Sequence, residues 1–127
     1  MNTQNNSEID LLISVMTLEQ KIGQMICVGL NTTYADDEFV SLIKTYPFGN
    51  VGIFNRNIET ARQVKELTEQ IQSIIKPACN NIDAMIAIDE EGGLASQFFL
   101  DNTHIPGNLA LGATYDKDSA FACGHIV

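Results

Sequence analysis

An α/β fold with parallel strands is what this sequence predicts, on three observations. Short apolar runs at residues 25–28, 51–54 and 84–88 contain no polar alternation, the pattern of strands buried on both faces. Segments of helical period separate these runs. Helix-start signals stand where such segments should open, at Thr17, Asp36 and Thr60. The resulting strand–helix–strand–helix–strand order implies right-handed crossovers with helices packed against a parallel sheet.

Taken in order, residues 1–7 hold three Asn and one Gln and read as an unstructured lead-in. Residues 9–16 are apolar enough for a short helix. Thr17-Leu18-Glu19-Gln20 has the spacing of a capping box, in which Gln20 reaches back to the Thr17 amide, and that helix should end near Gly23. The first strand follows at 25–28 and is broken by Gly29. Asp36-Asp37-Glu38 puts negative charge at the start of the next helix, where the backbone dipole is positive. Phe39, Leu42, Ile43 and Tyr46 give it one apolar stripe, and Pro47 and Gly49 stop it.

The second strand, 51–54, runs into the polar group Asn55-Arg56-Asn57. Thr60-Ala61-Arg62-Gln63 is a second capping box, opening a helix with Val64, Leu67, Ile71 and Ile74 on one face. Pro77 is expected to close it. After the third strand, periodicity is lost from Gly93 to about Asp116, a length of irregular chain that usually marks a functional loop. Helical spacing returns at Asp116, with Phe121, Cys123 and Ile126 as its apolar members.

At 127 residues the chain is one domain by length, short of the roughly 200 residues a complete eight-stranded α/β barrel needs. Seven Lys and Arg against sixteen Asp and Glu give a net charge of −9. Such a surface repels phosphate backbones and anionic lipid, which excludes nucleic acid and membrane as expected partners. Cys27, Cys79 and Cys123 lie far apart without a Cys-x-x-Cys pair, so they suggest no zinc site; Cys27 and Cys123 read as small buried hydrophobes. The polar start carries neither a basic n-region nor a long apolar run, and no stretch has the length of a membrane span. The cytoplasm is the expected location. The final residues, His125-Ile126-Val127, bring no helix stop signal, and three parallel strands leave two open edges. The expectation is the front portion of a larger α/β domain, able to self-associate through those edges.

The chemistry is expected at Asp83-Ala84-Met85-Ile86-Ala87-Ile88-Asp89-Glu90-Glu91-Gly92-Gly93. An apolar strand ends abruptly in three carboxylates, and α/β folds place ligands at the C-terminal ends of parallel strands. Asp89 reads as a substrate ligand, because an ionised carboxylate beside a buried strand is costly without a purpose; the competing reading is a cap on the following loop. Glu90 reads as a solvated turn residue. Glu91 reads as a structural anchor, with Arg56 at the neighbouring strand end as its partner. Gly92-Gly93 is no phosphate cradle behind three carboxylates, whereas the same cluster as a Mg²⁺ site is a weaker alternative. His104 and His125 read as incidental, and Leu109 with Leu111 as loop packing.

Four segments in this order carry a family resemblance: residues 17–25, 52–58, 88–93 and 105–114, the third being Ile88-Asp89-Glu90-Glu91-Gly92-Gly93. Together they resemble the N-terminal domain of glycoside hydrolase family 3, closer to its β-N-acetylhexosaminidase branch than to its β-glucosidases. The resemblance covers nearly all of residues 16–127. It implies that residues 17–127 form the first three βα units of a (β/α)8 TIM-type barrel, here incomplete, with 1–16 as lead-in. It also implies retaining, exo-acting hydrolysis of β-linked sugars through a glycosyl-enzyme, without any cofactor. The family aspartate matching Asp89 hydrogen-bonds sugar hydroxyls.

Two departures stand out. Leu94 occupies the place where the family usually has Arg. The family's Lys-His motif, its His–Asp acid/base pair and its nucleophilic Asp have no counterpart, so no catalytic residue is expected in this chain and it should be inactive alone. A non-catalytic carbohydrate-binding or interaction module is the alternative of a different class.

Overall fold

Three parallel strands, β1 (Cys27–Gly29), β2 (Asn50–Ile53) and β3 (Met85–Ile88), form one sheet in the order β1-β2-β3. The computed structural model describes residues 3–98 and 103–126, with side chains from residue 7 onward. β2 is central: Val51 sits beside Val28 on one side and Ile86 on the other, and Ile53 pairs with Ile88. β1 begins two residues later than its apolar run, which leaves Met25 outside the sheet at 85% exposure.

α3 (Asp37–Thr45) and α4 (Ala61–Ala78) connect the strands and pack beside each other on the same face. The strand pleat decides what they cover. Val51 and Ile53 are buried in the cluster with Phe39 and Ile43 of α3 and Leu67, Ile71 and Ile75 of α4. Each such side chain contributes roughly 1.5–3 kcal/mol by leaving water. Asn50 and Gly52 alternate to the opposite face, with Cys27, Gly29, Met85 and Ala87 as their register neighbours. That face carries no helix among the described residues, and β3 has only β2 as a neighbour.

The caps form as the sequence indicates. Thr17 accepts from the Gln20 amide while Gln20 Oε1 accepts from Thr17 N–H, opening α2 (Leu18–Gly23). Asp36 Oδ1 accepts from Phe39 N–H at 2.9 Å. Thr60 accepts from Gln63 N–H, but Gln63 Oε1 takes the Glu59 amide, one residue before the expected place.

Several expectations need correction. The expected lead-in is helical from residue 3, in α1 (Thr3–Val15), because a helix once nucleated gains a hydrogen bond with every residue added. Met1 and Asn2 lie outside the described residues. Pro77 sits inside the last turn of α4 rather than after it; its missing N–H removes one bond near an end, and Cys79 N–H closes the helix on the Ile75 and Lys76 carbonyls. The irregular connection contains α5 (Asn108–Ala113), six residues too short to display a stripe. Positions 99–102 of that connection lie outside the described residues. Of the cysteines, Cys27 is exposed because its strand position faces away from the helices, whereas Cys79 is fully buried. Leu109 does not pack: it is 91% exposed, and Phe121 of α6 (Lys117–Ile126) is 79% exposed. No helix among the described residues is long and apolar enough to cross a membrane.

Candidate functional site

Parallel pairing brings the C-terminal ends of all three strands to one side, and their loops are joined by side-chain amides. Beyond β2 the chain makes a short 3-10 turn, Asn55–Asn57. Asn57 is fully buried within it. Its Nδ2 donates to the Leu30 and Thr32 carbonyls at 3.0 and 2.8 Å, and its Oδ1 accepts from Phe54 N–H at 3.0 Å. The loop after β2 is thereby fixed to the loop after β1. A buried amide with all these partners is a stable joint, since each would be expensive to leave unpaired.

Phe54 continues the β2 pleat onto the open face. Its ring covers Gly52, where an added Cβ would stand 3.4 Å from Phe54 Cε2. The Arg56 guanidinium carbon lies 4.7 Å from the centre of that ring, a cation–π distance, and Arg56 Nε donates to the Leu30 carbonyl at 3.1 Å. Arg56 is therefore held at the end of the sheet by an aromatic ring and a carbonyl. The expected Arg56–Glu91 ion pair does not form.

Asp89 follows Ile88 directly, so extending the Ile53–Ile88 pairing by one residue sets it beside Phe54. It is exposed and takes no hydrogen bond or ion pair from any described residue. It is not the cap of the loop. That part falls to Glu90, against the expectation of a solvated turn residue. Glu90 Oε1 accepts from Gly92 N–H at 3.1 Å, and Oε2 accepts from Gln97 N–H at 2.8 Å and Phe98 N–H at 3.3 Å. Desolvation alone would push the Glu90 pKa up. Bonds from Gln97, Ser96, Gly92 and Phe98 outweigh it together and hold the carboxyl below the ordinary glutamate value.

The anchor is Glu90 rather than Glu91 because of the backbone after it. Gly92 at φ +73° and Gly93 at φ +55° turn the chain back so that later amides surround the earlier carboxylate. At Gly93 a Cβ would come within 2.8 Å of the Gly107 backbone. Glu91 is left exposed without a bonded partner among the described residues, bordering a hollow of about 310 Å³ with Ile105, Pro106 and Cys123. Leu94 is fully exposed. Gln97, itself held by Glu90, reaches across to the β2 turn: its Oε1 accepts from Asn55 N–H at 2.7 Å, and its carbonyl accepts from Asn55 Nδ2 at 3.3 Å.

Asn57, Glu90 and Gln97 escaped the sequence reading. Only Glu90 carried a signal, as a carboxylate just ahead of two glycines. His104 and His125 are exposed. Among the described residues no group of three His, Cys, Asp or Glu is placed to hold a metal ion. The rim thus offers a carboxylate without partners among the described residues, near an aromatic ring and a cation. Such a group suits hydroxyl recognition by charge-assisted hydrogen bonds.

Residues 17–127 match the family model described as the glycosyl hydrolase family 3 N terminal domain. The chain belongs to glycosyl hydrolase family 3. A β-hexosaminidase of Alkalilimnicola ehrlichii is 32% identical over 97 residues, which are 76% of this chain and 26% of that protein. One from Neisseria meningitidis serogroup C is 38% identical over 74 residues, 58% of this chain and 19% of that protein. Among solved structures, a family 3 β-N-acetylglucosaminidase from Paenibacillus sp. str. FPU-7 matches with a TM-score of 0.81 at 36% identity, covering 88% of this chain and 21% of that one. NagZ from Neisseria gonorrhoeae, solved in complex with N-trifluoroacetyl-D-glucosamine, matches with a TM-score of 0.63 at 28% identity, covering 76% of this chain and 28% of that one. The chain spans less than a third of each of these relatives.

Family 3 membership gives the one-sided sheet its meaning. In a (β/α)8 barrel the helices form the outer ring and the other sheet face looks inward. The face bearing Phe54, Gly52 and Ala87 is then the inner one, and the strand ends carrying Arg56 and Asp89 form part of the rim where such barrels hold their sites.

Proposed function

We propose that this chain forms the first part of the sugar site of a retaining, exo-acting β-N-acetylhexosaminidase, and that Asp89 holds hydroxyls of the terminal sugar. The observation that carries the reading is the exposed Asp89 carboxylate, without a partner among the described residues, at the end of β3 within the family 3 segment. The names of the relatives and the sugar derivative bound to Neisseria gonorrhoeae NagZ support the substrate class. Two hydroxyls accepted by one ionised carboxylate fix the orientation of the ring, which suits a positioning part in hydrolysis.

The bond-breaking groups are not sought among Asp89, Glu90 and Glu91. Retaining glycosidases need two carboxyl groups about 5–5.5 Å apart on opposite sides of the glycosidic bond, and Glu90 is already committed to three backbone amides. The 127-residue chain should therefore give no turnover of an aryl N-acetyl-β-glucosaminide, while N-acetylglucosamine shifts the Asp89 resonances in an NMR titration. Asp89→Ala should weaken that binding about tenfold or more, as loss of charged hydrogen bonds implies. Robust turnover by the chain alone, or binding indifferent to Asp89→Ala, would overturn the proposal. Glucose titrated in parallel distinguishes a β-glucosidase-like preference.

A further inference from the structure

Asp89 has no partner among the described residues, yet the residues on either side of its turn are tied down by a chain of hydrogen bonds. The chain begins at the Glu90 carboxylate, one residue from Asp89, which gathers the Gly92, Gln97 and Phe98 amides. It passes through Gln97, whose backbone N–H is bound by Glu90 and whose side chain accepts the Asn55 N–H at 2.7 Å. It ends at the β2 turn, where Asn55 adjoins Arg56. The Asn55 amide opens a 3-10 turn, so no earlier residue of that turn satisfies it.

We propose that Glu90 and Gln97 are positioning residues that lock the loops after β2 and β3 into one rigid rim, so that Asp89 meets the sugar in a fixed orientation. The inference rests on the sugar-site reading for its purpose, though the lock itself is testable without any sugar. Binding groups built on loops lose precision unless neighbouring hydrogen bonds hold them, and here the hold spans 42 residues of sequence. The exposed Leu94 makes no such link, so the loop depends on backbone amides gathered by Glu90.

Amide hydrogen exchange of the 127-residue chain, followed by NMR, tests the lock. Glu90→Gln should speed exchange at Gly92, Gln97 and Phe98, and also at Asn55 in the other loop, by roughly tenfold, about the factor that one charge-assisted hydrogen bond supports. Gln97→Leu should speed exchange at Asn55 while leaving Gly92 protected, and Gln97→Glu should restore Asn55 protection because it keeps the acceptor. Glu91→Gln removes the same charge as Glu90→Gln one residue away and should change none of these amides. Asn55 exchange that ignores both Glu90→Gln and Gln97→Leu would overturn the proposal.

Titration with N-acetylglucosamine separates the two readings. Weaker binding in Gln97→Leu, recovered in Gln97→Glu, supports positioning of the sugar ligand by the lock. Unchanged binding in Gln97→Leu despite faster Asn55 exchange would overturn the positioning role. No binding by the parent chain would sink the Asp89 assignment, and the positioning role with it, while the exchange data still decide whether the two loops are locked.

Discussion

Glu90 and Glu91 are adjacent and chemically identical, and only one of them builds the loop. The difference is where the chain bends: two glycines with positive φ carry the following amides back over Glu90 and leave Glu91 at the surface. This has a pH consequence with a definite sign. The folded state holds the Glu90 pKa below the ordinary glutamate value, so its contribution to loop order is complete above that value. It is lost as pH falls through the lower folded pKa, where a protonated carboxyl accepts amides poorly. The amide proton shifts of Gly92, Gln97 and Phe98 should therefore move together, with a common midpoint below that of an ordinary exposed glutamate. Asp89 and Glu91 receive none of these amides. A midpoint at or above the ordinary glutamate value would contradict the geometry.

At the scale of elements, the helices were the most legible part of the chain. Thr17, Asp36 and Thr60 announce their helix starts because a cap is a local bargain between one side chain and an amide three residues away. The buried face of α4 was largely readable: of the expected Val64, Leu67, Ile71 and Ile74, Leu67 and Ile71 are buried and Val64 and Ile74 pack half-buried against the cluster, while the third buried member is Ile75. Ile71 has no exposed surface and lies in the cluster under β2. Ile71→Ala should lower the unfolding free energy by about 2–5 kcal/mol, read as a shift in the urea midpoint. An effect well under 1 kcal/mol would mean that α4 does not pack on the sheet as described. The strands were found within one or two residues but not to the residue, because register depends on neighbours remote in sequence.

At the scale of the whole molecule, one face of the sheet is finished and the other is not. Met25, Met85, Leu109 and Phe121 are each at least 71% exposed, and among the described residues β3 pairs with a strand on one side alone. Unpaired strand edges and broad apolar surface invite association. The purified 127-residue chain should accordingly sediment with a concentration-dependent mass, and Met85→Lys, which puts a charge on the β3 face, should shift it towards monomer. A concentration-independent monomer for the parent chain would show that these surfaces are satisfied in some other way.

The sequence by itself determined the parallel α/β order, the helix starts at Thr17, Asp36 and Thr60, most of the packed faces of α3 and α4 (Tyr46, expected in the α3 stripe, is exposed), and the strand end at which Asp89 stands. All of these follow from periodicity and from bonds between residues a few positions apart. Tertiary structure alone decided that Glu90 rather than Glu91 holds the loop, that Arg56 lies against Phe54 and Leu30 instead of pairing with Glu91, and that Asn57 and Gln97 join three loops. The Arg56, Asn57 and Gln97 contacts depend on groups some 25 to 42 residues apart being brought within 3 Å or so by strand pairing, and no local pattern records such a meeting. The Glu90 choice depends instead on the positive φ of Gly92 and Gly93, which returns amides two to eight residues further on to its carboxylate.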